Sequence, residues 1–223
     1  MQFGDLPQEP DTSPVGENWH RIYSPGLRLG YLLAGVIGLA FPNLLCAWLI
    51  AVSMLERGGR GGRAAAEITT PWGAVIAALL LFIPLHELLH AIWHPGLGRS
   101  AQTVLVVWPA RLRFGVYYDG CMTRRRWLLM RLAPLAFLSV GPVGLLTLFY
   151  FVPAPFGLKV FLQVLMLVNG IGSGGDLVAA IWVLFQVPPR AQICFRGGRA
   201  YWRARPLSFP RPKEGGWRSG SSR

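Results

Sequence analysis

Cysteine and charge are both scarce in this sequence, and each scarcity excludes a class of protein. The 223 residues include three cysteines, Cys46, Cys121 and Cys194, which lie far apart and form no CxxC pair. Neither a disulfide scaffold nor a zinc ribbon is therefore predicted. Only 14% of the residues are charged and 52% are hydrophobic, whereas soluble domains are about one quarter charged. This balance indicates a protein whose main solvent is lipid.

Four long apolar stretches account for most of the hydrophobic residues. Each is long enough to cross a hydrocarbon core of about 30 Å, which takes roughly 20 helical residues. They cover approximately 29–54, 72–93, 132–152 and 158–187. A helix satisfies its own backbone hydrogen bonds in lipid, so all four are predicted to be α-helical. The predicted fold is an all-α membrane protein with four transmembrane helices in one domain over 29–187.

The segments outside the spans differ in composition from one another. Residues 1–28 form a polar N-terminal segment that lacks the basic start and early apolar core of a signal peptide. Between spans two and three, 102–108 and 112–118 are β-branched and aromatic and precede the turn signal Asp119-Gly120. They predict a short β-ribbon-like loop at the membrane surface. Residues 188–223 form a basic tail that is predicted to be disordered from about 206.

The positive charge of the chain is distributed unevenly about the spans. The net charge is +12, with 22 Lys and Arg. Four spans place both termini and the loop between spans two and three on one side, which then carries 18 of those 22 residues. The positive-inside rule assigns that side to the cytoplasm, in a multi-pass protein of the cell inner (plasma) membrane. The orientation of the spans accounts for the excess of Lys and Arg. We therefore expect the chain to interact with a lipid bilayer and not with nucleic acid.

Two of the ten acidic residues, Glu87 and Asp176, fall within predicted spans. No Lys or Arg from the spans is expected to pair with them. An unpaired charge at mid-depth costs roughly 2.5–3.5 kcal/mol or more, so ionisable residues in lipid usually have a function.

Span two contains the motif His86-Glu87-Leu88-Leu89-His90. Residues four apart project from one helix face, so His86 and His90 can hold one metal ion, and zinc suits imidazole ligands. Glu87 is placed to act as the general base for a metal-activated water. The alternative is a proton relay or a structural cluster of buried polar groups. We predict one Zn²⁺ per chain.

A catalytic zinc needs a third protein ligand, for which Asp176 and His94 are the candidates. At about 1.5 Å per residue, Asp176 and His86 lie at similar depths from the cytoplasmic ends of their helices. His94 is a full turn nearer the interface, so Asp176 is favoured. The preceding stretch 169–175 contains four glycines, which predicts an unwound or closely packed backbone. We expect Asn169, Ser173 and Gly174 to contact an extended substrate strand there.

Two stretches carry a family resemblance. Pro84–Ala91, with the sequence PLHELLHA, and Asn169–Asp176, with Asn169 followed by Ser173-Gly-Gly-Asp176, resemble the site-2-protease-like intramembrane zinc metalloproteases. The sequence is more closely similar to a bacterial family of four-span zincin peptidases, and the resemblance covers about 72–187. It implies that Asp176 is the third ligand. The chain departs from the site-2 proteases in having glycines in place of a proline-rich stretch and Leu177 in place of a glycine, and it has no PDZ or CBS domain.

The predicted function is that of a zinc-dependent intramembrane endopeptidase. It would hydrolyse peptide bonds of membrane-embedded or membrane-proximal protein and peptide substrates. A membrane metal transporter or sensor, or a catalytically inert zinc-binding membrane protein, would use the same ligands. Spans one and three contain no Asp, Glu, Lys, Arg or His, which disfavours a transport route through the bundle.

Overall fold

A computed structural model describes residues 2–3, 18–23, 27–57, 71–108, 113–196 and 199–204. Helices dominate these ranges, in the order α1 (Leu27–Arg57), α2 (Trp72–Trp93), α3 (Arg124–Leu135), α4 (Gly141–Phe151), α5 (Phe156–Gly172) and α6 (Gly174–Gln186). A π-helical segment, Ala136–Val140, joins α3 to α4. The disorder predicted from about 206 falls outside the described residues.

Two to three of the helical stretches are candidate membrane spans. Trp72–Trp93 and Arg124–Phe149 are each long and apolar enough to cross a bilayer. Helices α5 and α6 together make a third, with their axes bent by 49° at a break. Within α1, the apolar stretch Leu32–Trp48 is shorter than these candidate spans. A membrane protein is thus indicated, and the count of four spans stays a prediction.

The helix of the third predicted span begins at Arg124 rather than near 132. Thr123 caps this helix, because its hydroxyl accepts a hydrogen bond from the Arg126 N–H at 3.3 Å. The Arg126 guanidinium donates to the carbonyls of Trp93 and His94, at 2.6 and 2.9 Å. The arginine-rich first turn is therefore compatible with a helix, since Arg126 binds the end of α2, Arg124 donates to the Leu184 carbonyl at 3.1 Å, and Arg125 is exposed.

The predicted ribbon is present as strands β3 (Thr103–Trp108) and β4 (Arg113–Tyr118). They pair in antiparallel fashion with Leu105 opposite Val116. A two-residue strand, β1 (Gln2–Phe3), adds to β3 in parallel. In this sheet the order is β1-β3-β4, so β4 is an edge strand among the described residues.

A second sheet corrects the all-α expectation. It has the order β2-β7-β6-β5, formed by β2 (His20–Arg21), β5 (Cys121–Thr123), β6 (Gln192–Arg196) and β7 (Arg199–Arg203). Part of the basic tail thus folds back as a hairpin. Strand β2 precedes α1, β5 precedes α3 and β6 follows α6, so the sheet gathers three helix ends at one end of the bundle.

A disulfide between Cys121 and Cys194 joins β5 to β6. The cysteine pattern predicts no disulfide scaffold, and it gives no indication of this single cross-link. The two residues are 73 positions apart in the chain, and the spacing alone gives no sign that the tail returns to the middle loop. An apolar cluster lies beneath this sheet, and its most buried members include Trp127, Val183 and Ile193.

Candidate metal centre

Two histidines on α2 form the base of the site. His86 and His90 are one helical turn apart, and both are buried, with 8% and 6% of their surfaces exposed. Their Nε2 atoms lie 3.2 Å apart. The four-residue spacing therefore directs both imidazoles to one point inside the bundle, as the sequence predicts.

Asp176 reaches the same point from the first turn of α6. The helix α5 ends at Gly172, and α6 begins at Gly174 after a break at Ser173. Gly174 packs so closely on α1 that a side chain there would collide with the Ala34 carbonyl. The break places Asp176 at a helix N-terminus, where the helix dipole favours a carboxylate. The glycine-rich stretch therefore serves to turn this carboxylate toward α2.

The three side chains fit a zinc site by distance and by donor chemistry. Asp176 Oδ2 lies 3.2 Å from His86 Nε2 and 3.2 Å from His90 Nε2. Together with the histidine pair, these atoms form a triangle with three equal edges. Zinc bonds of about 2.0–2.1 Å imply ligand-to-ligand distances of about 3.3–3.4 Å in a tetrahedron. Two imidazoles and one carboxylate also leave a fourth position for a reactant, as catalytic zinc sites do.

The outer nitrogens of both histidines have fixed partners. His90 Nδ1 lies 2.8 Å from the Met130 carbonyl oxygen, and His86 Nδ1 lies 2.8 Å from Asn169 Oδ1. The Asn169 amide nitrogen donates to the Pro134 carbonyl at 2.9 Å, so its oxygen must face His86. Both Nδ1 atoms are thereby donors, and each Nε2 presents a lone pair to the cluster. Partners of this kind orient metal-ligating histidines.

Arg131 is a further residue that holds a candidate ligand from outside the cluster, and the sequence analysis does not predict this role. Its Nη1 donates to Asp176 Oδ1 at 2.7 Å, which leaves Oδ2 directed at the histidines. The expectation that no arginine pairs with Asp176 is wrong, because α3 includes Arg131 instead of starting after it. The signal available in the sequence was Thr123, a good N-cap residue three positions before Arg126.

The predicted substrate contacts occupy the wall behind the ligands. Asn169 is fully buried, and Ser173 is 1% exposed. Gly174 is buried as well. Two other glycines of the same stretch, Gly172 and Gly175, line the cavity in front of the ligands. Contact between a substrate and Asn169, Ser173 or Gly174 stays a prediction.

Glu87 stands at the edge of a cavity of about 680 Å³, which the three ligands also line. Its side chain is half-buried, and Oε2 accepts a hydrogen bond from the Val116 N–H at 2.8 Å. Strand β4 therefore forms one wall of the cavity and fixes the carboxylate of Glu87. Glu87 is placed beside the ligand cluster and is not one of its members.

His94, the other candidate ligand, lies outside the ligand cluster. The group of described residues that can share a metal is formed by His86, His90 and Asp176. His94 is buried, and its Nδ1 lies 3.3 Å from the Thr103 hydroxyl. Burial lowers the pKa of His94 to about 4, and the nearby positive groups act in the same direction. A neutral His94 in the lining of the cavity, outside the ligand cluster, is the result.

A comparison with family models matches residues 79–192 to the family described as "Putative zincin peptidase". The matched region starts within α2 and ends at the first residue of β6, and it includes Glu87 and all three candidate ligands. Searches of curated proteins and of solved structures find no significant match.

Proposed function

The chain belongs to the zincin peptidase family, and we propose that it is a zinc-dependent intramembrane endopeptidase of the site-2-protease-like kind. One observation carries the proposal: the ligand triangle of His86, His90 and Asp176 is buried beside Glu87, between helices apolar enough to cross a membrane. The ligands come from two candidate spans instead of a soluble domain. Peptide bonds that are embedded in the membrane or lie close to it are the substrates that such a site can reach.

The chemistry follows from the donor set. A zinc ion held by His86, His90 and Asp176 would lower the pKa of a water molecule and polarise the substrate carbonyl. Glu87 accepts the proton of the attacking water and then delivers it to the leaving amine. The Val116 N–H holds the Glu87 carboxylate at the cavity wall during both transfers.

The position of the substrate is proposed from the lining of the cavity. A peptide carbonyl must approach both the ligand cluster and Glu87, so the scissile segment lies between α2 and the glycine break. Gly172 and Gly175 have no side chains to obstruct an extended segment there. The neighbouring Ser173 and Gly174 would offer backbone groups to it, while Asn169 also serves to hold His86.

We further propose four spans in the inner membrane, with both termini cytoplasmic. Support comes from the sheets, which bring strands from the N-terminal segment, the middle loop and the tail to one end of the bundle. An even number of spans places both termini and the middle loop on the same side of the membrane, as this arrangement of strands requires. The same side holds 18 of the 22 Lys and Arg residues, which supports a cytoplasmic location.

The test combines metal content with cleavage by the purified chain. We expect about one zinc per wild-type chain, with loss of the zinc in Asp176→Ala. Cleavage of reconstituted single-span reporter proteins should be lost in Glu87→Gln, which keeps all three ligands and therefore its zinc. Cleavage that survives Glu87→Gln contradicts the mechanism. A transporter or an inert zinc protein would bind zinc and cleave no reporter in the wild-type form.

A further inference from the structure

Pro134 lies in the interior of α3, one turn after Met130. Proline has no amide hydrogen, so the Met130 carbonyl lacks the donor that an α-helix would provide four residues later. The proline ring also crowds that carbonyl and displaces it from the helix axis. The result is a backbone acceptor that α3 cannot satisfy by itself.

The acceptor is satisfied by a metal ligand. His90 Nδ1 donates to the Met130 oxygen at 2.8 Å, across 40 residues of chain. Met130 is 5% exposed, and Pro134 is among the fully buried side chains. A carbonyl in this environment has little access to water, so its hydrogen bond with His90 is strongly favoured over an unpaired state.

We propose that Pro134 is a positioning residue of the metal centre. By lacking an N–H, Pro134 reserves the Met130 carbonyl for His90 Nδ1, and His90 Nε2 is thereby held in the ligand triangle. Pro134 itself contacts no reacting atom and acts through Met130. The inference rests on the metal site of the proposed function but not on peptidase activity.

A second proline in the same helical rod supplies the matched control. Pro142, in the first turn of α4, also lacks an N–H. The segment before it, which contains Leu138, is π-helical, and its last bond runs from the Gly141 N–H to the Ala136 carbonyl. Leu138 belongs to a separate apolar cluster with Ala78 and Leu165. Replacing Pro142 by Ala makes the same chemical change without involving a metal ligand.

The first measurement is zinc affinity of the full chain in detergent, by competition with a chelating dye. In Pro134→Ala the new N–H competes with His90 for the Met130 carbonyl. We expect zinc to bind about 10–100-fold more weakly, the range found when an outer partner of a metal ligand is lost. The visible spectrum of the Co²⁺-loaded chain should change as well. Pro142→Ala should leave both readouts unchanged.

The second measurement separates the missing N–H from the shape of the ring. Lactic acid, the hydroxy-acid analogue of alanine, is placed at position 134 by nonsense suppression; it has the alanine side chain and no N–H. We expect its zinc affinity to lie within a few-fold of wild type. Equal weakening in the lactate and Pro134→Ala variants overturns the proposal, as does unchanged affinity in Pro134→Ala. A wild-type chain that takes up no zinc overturns the proposed function and this inference together.

Discussion

Arg131 and Asp176 form an ion pair in which one carboxylate oxygen serves the arginine and the other faces the histidines. The Nη1–Oδ1 distance is 2.7 Å, and Oδ2 lies 3.2 Å from both Nε2 atoms. This division of the carboxylate gives Asp176 one oxygen for a metal and keeps the other occupied. The ligand, its orientation and its charge partner therefore form a single unit across α3 and α6.

Removal of Arg131 is expected to weaken the metal site. In Arg131→Ala, Oδ1 loses its donor and the carboxylate is free to rotate, so we expect about 10–100-fold weaker zinc binding. Arg131→Lys keeps the charge but not the planar fork, and should show an intermediate affinity. Zinc titration measures both. Arg125→Ala, on the exposed side of α3, removes the same charge and should have no effect; an equal effect there would point to net charge instead.

Replacement of Asn169 by alanine separates a role in holding His86 from a role in contacting substrate. Because Asn169 Oδ1 accepts from His86, we expect the zinc affinity of Asn169→Ala to fall about 10–100-fold. Loss of the bonds to Pro134 and Ser139 should also lower stability by about 1–3 kcal/mol. An unchanged zinc affinity with a raised KM would instead identify Asn169 as a substrate contact. Thr147→Ala, which removes a hydroxyl that bonds the Val143 carbonyl within α4, serves as the control.

His94 makes stability depend on pH. Its pKa is about 4 in the folded chain and 6.5 as the ordinary value, so the folded state binds fewer protons between these limits. Stability is then fully present above about pH 6.5 and is lost as the pH falls toward 4. The loss amounts to about 3 kcal/mol. Thermal unfolding of the wild type and of His94→Gln across this range measures it, since the variant does not titrate there. Parallel pH profiles would refute the assignment.

Reduction of the Cys121–Cys194 disulfide is expected to loosen the tail hairpin. Disulfides typically contribute about 2–4 kcal/mol, and this one ties β6 to β5. Peptides from β6 and β7 should exchange amide hydrogens faster in the Cys121→Ser/Cys194→Ser variant. Replacement of Cys46, a free cysteine, should leave exchange unchanged. Faster exchange in the Cys46 variant would instead indicate that Cys46 takes part in the disulfide.

The orientation is open to a direct test. We expect green fluorescent protein fused to the C-terminus to be fluorescent, because 18 of the 22 basic residues lie on that side. Alkaline phosphatase at the same position should be inactive. The reverse pattern would place the second sheet in an oxidising compartment, where disulfides persist, and would invert the proposed topology.

Much of the site follows from the sequence because its determinants are local. The spacing of His86 and His90 places both side chains on one helix face. The free-energy cost of a carboxylate in lipid identifies Glu87 and Asp176 as candidate functional residues. The glycines before Asp176 predict a break, which occurs at Ser173. Alternation of apolar residues likewise predicts β3 and β4.

The remaining features depend on contacts between residues far apart in the chain. Asn169 lies 83 positions from His86 and Arg131 lies 45 from Asp176, and neither pairing changes a local pattern. The same holds for the disulfide, whose partners meet only because the tail returns to the middle loop. The sequence by itself determined the ligand types and the helices that carry them, since burial cost and helical periodicity act on each residue separately. Only the tertiary structure decided which groups hold those ligands, because side-chain packing sets the register between helices.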